Sequence, residues 1–435
     1  MKALLVGVAA SSVLAFAGAA AAQHNADLHS DNMRHVARFT DGGTYASGTD
    51  IAFWNDVAVA GNQSPGGFRL LKLAGTDDPQ PVFTERAQFN CNGGQSDVSI
   101  WKSLAFVSID GPRSSAACDA GSASEGFEGI RVVDIGSIDN PSPRQVAFVR
   151  TDCGSHTHTL VPDEANGRVL LYVLSYPLGV PTATCSPLTH RKISVVEVPL
   201  SNPAAAKVVS TPDVSPAIGC HDVTVLLPRK LAGAACLTET QLWDISDPVH
   251  PRVLSHIVNP GISIHHGTTF SFDGSTLAIG DELAGATVAP GCVGGNEHLP
   301  IGAIWFYDVS NPSLPLLRGT YRIPQSVTST LCTAHNFNTV PVQTERDLLV
   351  SAWYNGGTTV VDFTDPTNPQ QVGFYIVRSA TPSNSWSSYW YRDQIYANNL
   401  GTAGFDAFTL DELRNDAVKL HHLNPQTMEA LRTRH

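Results

Sequence analysis

One short pattern recurs along this chain and leaves few folds open to it. An apolar, β-branched run ends in an acidic residue, and Asp-Pro or Asn-Pro follows within a few positions. It reads Leu242-Trp-Asp-Ile-Ser-Asp-Pro, Trp305-Phe-Tyr-Asp-Val-Ser-Asn-Pro and Val360-Val-Asp-Phe-Thr-Asp-Pro, with Ile130-Arg-Val-Val-Asp-Ile ahead of Asp139-Asn-Pro. Weaker copies are Val195-Val-Glu-Val-Pro-Leu-Ser-Asn-Pro and Leu70-Leu-Lys-Leu-Ala-Gly-Thr-Asp-Asp-Pro. Proline fixes φ and removes a donor, so each run is a strand forced into a turn before the next strand. The acidic marks Asp134, Glu197, Asp244, Asp308 and Asp362 lie 63, 47, 64 and 54 residues apart. Repeats of that length with about four strands each predict propeller blades, lengthened where loops are inserted.

A second column of residues counts the blades. Seven runs share one opening register: Asn55-Asp-Val-Ala-Val, Ser96-Asp-Val-Ser-Ile, His156-Thr-His-Thr-Leu, His221-Asp-Val-Thr-Val, His266-Gly-Thr-Thr-Phe, His335-Asn-Phe-Asn-Thr and Arg392-Asp-Gln-Ile-Tyr. The expected fold is all-β, a seven-bladed propeller of four-stranded blades. Residues 1–22 form a signal peptide, 23–49 an N-terminal extension, 50–410 the ring and 411–435 a tail. Residues 410–414 and 426–434 are expected to form short helices outside the ring. A pair of β-sandwiches is the structural alternative, but it leaves seven in-register copies unexplained.

The repeat resembles the LVIVD family of secreted or surface propellers over most of residues 50–410. The resemblance rests on the Leu242, Trp305 and Val360 motifs, each with its second proline and following apolar strand. It implies the fold and no single activity, so function must be argued from a site.

The start of the chain reads as an export signal: Lys2, an apolar stretch from Leu4 to Phe16, and Ala20-Ala21-Ala22 as a small-residue cleavage site. No later segment has the ~18 consecutive apolar residues that span a bilayer. A periplasmic, secreted or cell-surface protein is expected. With 27 Lys and Arg against 39 Asp and Glu, the net charge of −12 argues against a nucleic-acid partner. In an oxidising compartment the eight cysteines read as disulfides. Sequence proximity pairs Cys91 with Cys118, Cys153 with Cys185, Cys220 with Cys236, and Cys292 with Cys332.

In a propeller the innermost strand of each blade lines the channel, and a residue at its mouth faces the axis. His156, His221, His266 and His335 are therefore expected to converge. Neutral imidazole binds copper, iron or zinc well, so one transition metal ion is the expected cofactor. His158 is on the same strand face as His156 and is a further candidate ligand. Each of these histidines, taken alone, also fits an ordinary partner such as a backbone carbonyl or ordered water.

Asp97, Asp222 and Asn336 follow the opening residue. They suit either a hydrogen bond to a ligand histidine or a bond to a backbone amide of the next blade. Cys153-x-x-His156 and Cys332-x-x-His335 also have the spacing of a mixed thiolate site, against which stands the nearby partner of each cysteine. Arg392, Tyr391 and Trp390 can stack a flat ligand at the channel mouth, or seal the junction of the first and last blades.

Two functions compete on this reading. The first is a metal-dependent oxidoreductase acting on a small-molecule substrate, whose metal-in-channel arrangement is similar to that of carotenoid-cleaving oxygenases in architecture and histidine placement alone. The second is a non-catalytic extracellular module that presents loops, such as those at 111–126 and 284–300, to a protein or glycan.

Overall fold

Asp244, Asp308 and Asp362 each end a strand and turn their carboxylate back on the chain. Their Oδ1 atoms accept hydrogen bonds from the amides two residues on, Ser246, Ser310 and Thr364, at 2.8, 3.0 and 3.0 Å. Three residues later Asp247, Asn311 and Asp365 repeat the device on Val249, Ser313 and Thr367. These paired side-chain turns are the physical content of the repeat, since they satisfy amides that a strand end would leave bare. Each delivers the chain from the third to the fourth strand of a blade.

The computed structural model describes residues 26–45, 47–63, 65–75, 82–177, 185–186, 190–282, 302–325, 331–378 and 381–431. They form seven antiparallel sheets of four strands, some with a short added strand. In chain order the inner strands of blades 1 to 7 are Gly48–Trp54, Val98–Trp101, Thr157–Asp163, Asp222–Leu226, His265–Phe270, Phe337–Val340 and Ser385–Tyr391. Each inner strand touches the next, and the seventh touches the first, so the ring is closed. The core lies between blades, as where Phe306 of blade 5 stacks on Phe363 of blade 6 at 5.1 Å.

The ring is latched by its N-terminal segment. Met33–Phe39 pairs with Phe405–Leu410 as the outer strand of blade 7, and Leu28–His29 adds to the edge of blade 6. Asp406, fully buried, holds that latch: Arg38 donates from Nε and Nη2 at 2.7 and 2.8 Å, and His35 Nε2 lies 2.6 Å away. Residues 28–39, expected as an extension, are thus part of the ring.

The tail departs from the sequence expectation. Among the described residues there is no α-helix; Asp411–Leu413 makes a single 3₁₀ turn, and the rest runs across the floor of the channel. His422–Leu423 pairs with the inner strand of blade 1, and Thr427–Met428 lies parallel to that of blade 4. Between them Asn424 bonds both backbone groups of Ile100, at 2.8 and 3.0 Å, and Thr427 Oγ1 donates to Leu160 O at 2.6 Å. Bare strand ends on the floor offer better partners than a short helix has by itself.

Two of the seven aligned residues are also placed differently. Asn55 and Arg392 sit at φ 52° and 59° in the hairpin turns that follow inner strands 1 and 7, at the floor. The channel is lined instead by Thr49 and Asp50 of blade 1 and Trp386 of blade 7. Asn-Asp and Arg-Asp in a tight turn look like His-Asp at a strand opening, because both precede an apolar alternation.

Disulfides join Cys91 to Cys118, Cys153 to Cys185 and Cys220 to Cys236. Cys292, expected to pair with Cys332, lies outside the described residues, as do 284–300 and the signal region 1–22.

Candidate metal centre

The four histidines meet at the upper mouth of the channel, opposite the tail. Their rings form a row, with centroids 4.6 Å apart from His156 to His221, 3.9 Å from His221 to His266 and 4.3 Å from His266 to His335. All four are buried. His266 owes its direction to a β-bulge: the register slips between His265 and Gly267, leaving His266 as the extra residue. A bulge re-aims a side chain. His265 bonds Thr240 Oγ1 at 2.8 Å, while His266 enters the row.

A carboxylate that the histidine alignment did not include completes the cluster. Glu282 follows the second strand of blade 5, beside Asp281, whose own carboxylate is held by the amides of Ser263, Ile264 and Gly302. Glu282 Oε2 is 3.7 Å from His266 Nε2, and its Oε1 is 3.6 Å from His335 Nε2. His221, His266 and Glu282 each offer a ligand atom within 4.8 Å of the other two. Ligands ~2.1 Å from one tetrahedral ion stand roughly 3.4 Å apart, so side-chain rotations of about an ångström would close the set.

Hydrogen bonds prepare the ring nitrogens. His335 Nδ1 faces the Trp386 carbonyl, which only accepts, so Nδ1 carries the proton and Nε2 keeps its lone pair towards Glu282. His156 Nδ1 donates to Asp110 Oδ2 at 2.9 Å, and its Nε2 lies 3.0 Å from His221 Nε2 and 3.1 Å from the Tyr176 hydroxyl. Tyr354 donates to Glu282 Oε1 at 2.7 Å. Both ring nitrogens of His266, and Nε2 of His335, are buried without a hydrogen-bond partner. Orphaned buried donors and acceptors are costly, and an ion would satisfy one lone pair on each ring.

Burial, with the neighbouring histidines, drives His221 and His266 well below the usual imidazole range, and burial takes His335 to about 3. These rings stay neutral with lone pairs available. Burial also pulls on His156, but Asp110 outweighs it and the net direction is upward. Burial lifts Glu282 from 4.5 to about 7, against the opposing Tyr354 bond.

A pH dependence follows. A carboxyl raised on folding stabilises the metal-free protein fully below about 4.5, and that contribution is lost as pH rises through about 7. Metal requires the ionised form, so affinity should drop as pH falls below about 7, with one proton released per ion bound. Metal titrations at pH 6 and 8 should show this step, and Glu282→Gln should remove it. The proton that must leave is therefore Glu282's, since His221, His266 and His335 are already neutral.

The other sequence candidates are placed elsewhere. His158 is no ligand in this arrangement: its ring is held between Ser99 Oγ and Ser108 Oγ at 2.7 and 2.8 Å. Asp97 Oδ2 accepts from the His158 amide of the next blade at 2.7 Å, which is the expected backbone role, whereas Asp222 Oδ1 accepts from the amide of its own neighbour Val223 at 2.8 Å. Asn336 lines the channel and bonds through its amide to Trp386 O, not to a histidine. The carboxylate that orients a ring is Asp110, just after the second strand of blade 2. Tyr391 and Trp390 are buried at blade junctions, Tyr391 bonding Asn55 O and His421 O. With Arg392 in a floor turn, these three do not form a stacking site at the upper mouth. His190 is buried against Ser175.

The loop before His221 is tightly determined. Gly219 has φ +106°, and a Cβ there would lie 2.1 Å from Ser175 O. Gly219→Ala should cost roughly 1–3 kcal/mol of stability in chemical denaturation. It should also weaken metal binding by displacing His221.

No family model matches the chain, and no curated protein matches it. Solved structures match in fold. A candidate 6-phosphogluconolactonase from Bacteroides fragilis aligns over 88% of this chain and 98% of that chain, at 10% identity and a TM-score of 0.53. A functionally unknown protein from Desulfotomaculum acetoxidans aligns over 81% of this chain and 90% of its own, at 10% identity and a TM-score of 0.49. At that identity the likeness is one of fold alone.

Proposed function

We propose that this chain is an exported propeller of the LVIVD-repeat type that binds one transition metal ion at the channel mouth and uses it in redox chemistry on a small substrate. The observation that carries the reading is His266. Its ring is buried between His221, His335 and Glu282, with both nitrogens unpartnered. His221, His266 and Glu282 would hold the ion, His335 is poised as a further ligand, and His156 flanks the set. Two imidazoles and a carboxylate with open positions suit non-haem iron and catalytic zinc alike, and redox chemistry would call for iron rather than zinc. Such an ion supplies a centre that changes oxidation state beside a bound substrate.

The surrounding residues would do the rest. Tyr354 holds the Glu282 carboxylate, Asp110 holds His156 in one tautomer, and Tyr176 presents its hydroxyl beside His156 Nε2. Burial keeps both phenols protonated, so they serve as hydrogen-bond donors. The tail closes the floor, so a substrate would reach the ion from the upper mouth. Export is supported by the three disulfides, which persist in oxidising compartments. Among the described residues no helix is long and apolar enough to cross a membrane.

Metal analysis of protein purified without a histidine tag tests the reading. About one equivalent of iron or copper per chain is expected; an equivalent of zinc would support the site and overturn its redox use. A protein that is isolated metal-free and takes up none of the three on anaerobic reconstitution would favour a binding module instead. The hairpin insert closed by the Arg113–Ser122 bridge would then be its natural contact surface.

A further inference from the structure

We propose that the floor of the propeller carries a second, metal-independent site for a small amphiphilic anion, an apolar body with one carboxylate or sulfonate. The tail seals the floor unevenly. Its bonds run to the inner strands of blades 1 to 4 and 7, through Phe53, Ile100, Leu160, Val225 and Tyr391. The lower ends of inner strands 5 and 6 are left beside a cavity of about 300 Å³. That volume is at the small end of the range for ligand sites.

The tail itself makes much of the wall. It leaves blade 6 where the Val418 amide bonds Pro341 O at 2.7 Å, crosses as 419–423, and returns as 425–430. Phe272, Pro341, Leu420, Leu423, Pro425 and Met428 give the cavity an apolar lining. Few polar groups converge on it, as in sites that enclose a hydrophobic body.

Charge selects the head group. Lys419 lines both this cavity and an adjoining cleft that Lys72 and Arg392 also line, so three cations lie near the cavity in a chain whose net charge is −12. Of the acids nearby, Glu429 bonds His422 at 2.7 Å and Asp56 lies 3.8 Å from Arg86, while Asp393 lies 3.5 Å from Lys419, which an anionic head would share with it. An apolar body in the cavity would place an anionic head beside Lys419. A neutral or cationic head would forgo that attraction.

Octanoate and 1-octanol are suitable probes for calorimetric titration of the full chain. One octanoate per chain is expected, with the same affinity in metal-free, metal-loaded and His266→Ala protein. Lys419→Ala should weaken octanoate by about fivefold and leave octanol unchanged. Ala430→Trp, at an exposed position on the rim, should abolish both. Absence of saturable octanoate binding at millimolar concentrations overturns the proposal. So does binding that Ala430→Trp leaves intact, which would place the ligand elsewhere. Dependence on the metal or on His266 would assign the ligand to the upper mouth and overturn it too.

Discussion

Replacing His266 by alanine is expected to leave a folded, metal-free protein. The side chain is the middle of the row, with His221 and His335 on either side and Glu282 Oε2 3.7 Å from its Nε2. Removing it takes one of the three closest ligands and leaves a gap across which the others cannot share an ion. Loss of one ligand from such a set should reduce affinity by at least the ~10–100-fold that even outer hydrogen-bond partners contribute. Stability should change little or rise, because the ring has no hydrogen-bond partner to lose and its burial is uncompensated. Metal content by mass spectrometry and a urea melt check both halves. A His266→Ala protein that kept a full equivalent of metal would remove the basis for this centre. His250→Ala serves as the control, since His250 is exposed and lies 2.9 Å from Asp247 in a turn after the third strand of blade 4.

The largest effect on stability is expected at Asp406. Its carboxylate is buried and accepts from both Arg38 and Asn399, with His35 2.6 Å away, and thereby ties the N-terminal strand to blade 7. Asp406→Ala would leave the Arg38 guanidinium, 15% exposed, without its carboxylate at the ring's closing joint. Breaking a buried pair from one side costs about 3–5 kcal/mol. Despite burial, the hydrogen bonds of His35 and Arg38 hold Asp406 below the usual carboxylate range. A depressed carboxyl contributes stability that is present above the unfolded value of 3.8 and lost as pH falls through its lower folded value. The wild-type midpoint in urea should therefore fall in strong acid by more than that of Asp406→Asn. Equal acid sensitivity in the two proteins would show that the latch draws its strength elsewhere.

Much of this was legible along the chain because a propeller repeats a local device. The Asp-x-x-Asp/Asn-Pro turns need only neighbours in sequence to form, so their spacing disclosed the blades. The histidine column was legible for the same reason: position in a repeat becomes position around an axis. Glu282 was not, since it lies 16 residues after His266, at the end of a different strand. Only the pairing of His265–Phe270 with Thr276–Asp281 returns it to the mouth. His158 misled because alternation along a strand gives the face and not the neighbours. Its pocket was already filled by Ser99 and Ser108.

The sequence by itself determined the strand content, the number of blades, the histidine row and the three observed disulfides that join near neighbours. These depend on contacts local to one blade or on a period that repeats blade by blade. The tertiary structure alone decided which residues at Asn55 and Arg392 were turns, which carboxylate joined the histidines, and where both chain ends lie. The turns and the carboxylate depend on how strands pair within a blade, and the ends on contacts between residues hundreds of positions apart, such as Arg38 with Asp406 and Asn424 with Ile100. An end segment has no repeat to betray its partner, and it goes where closing the ring leaves unpaired backbone to satisfy.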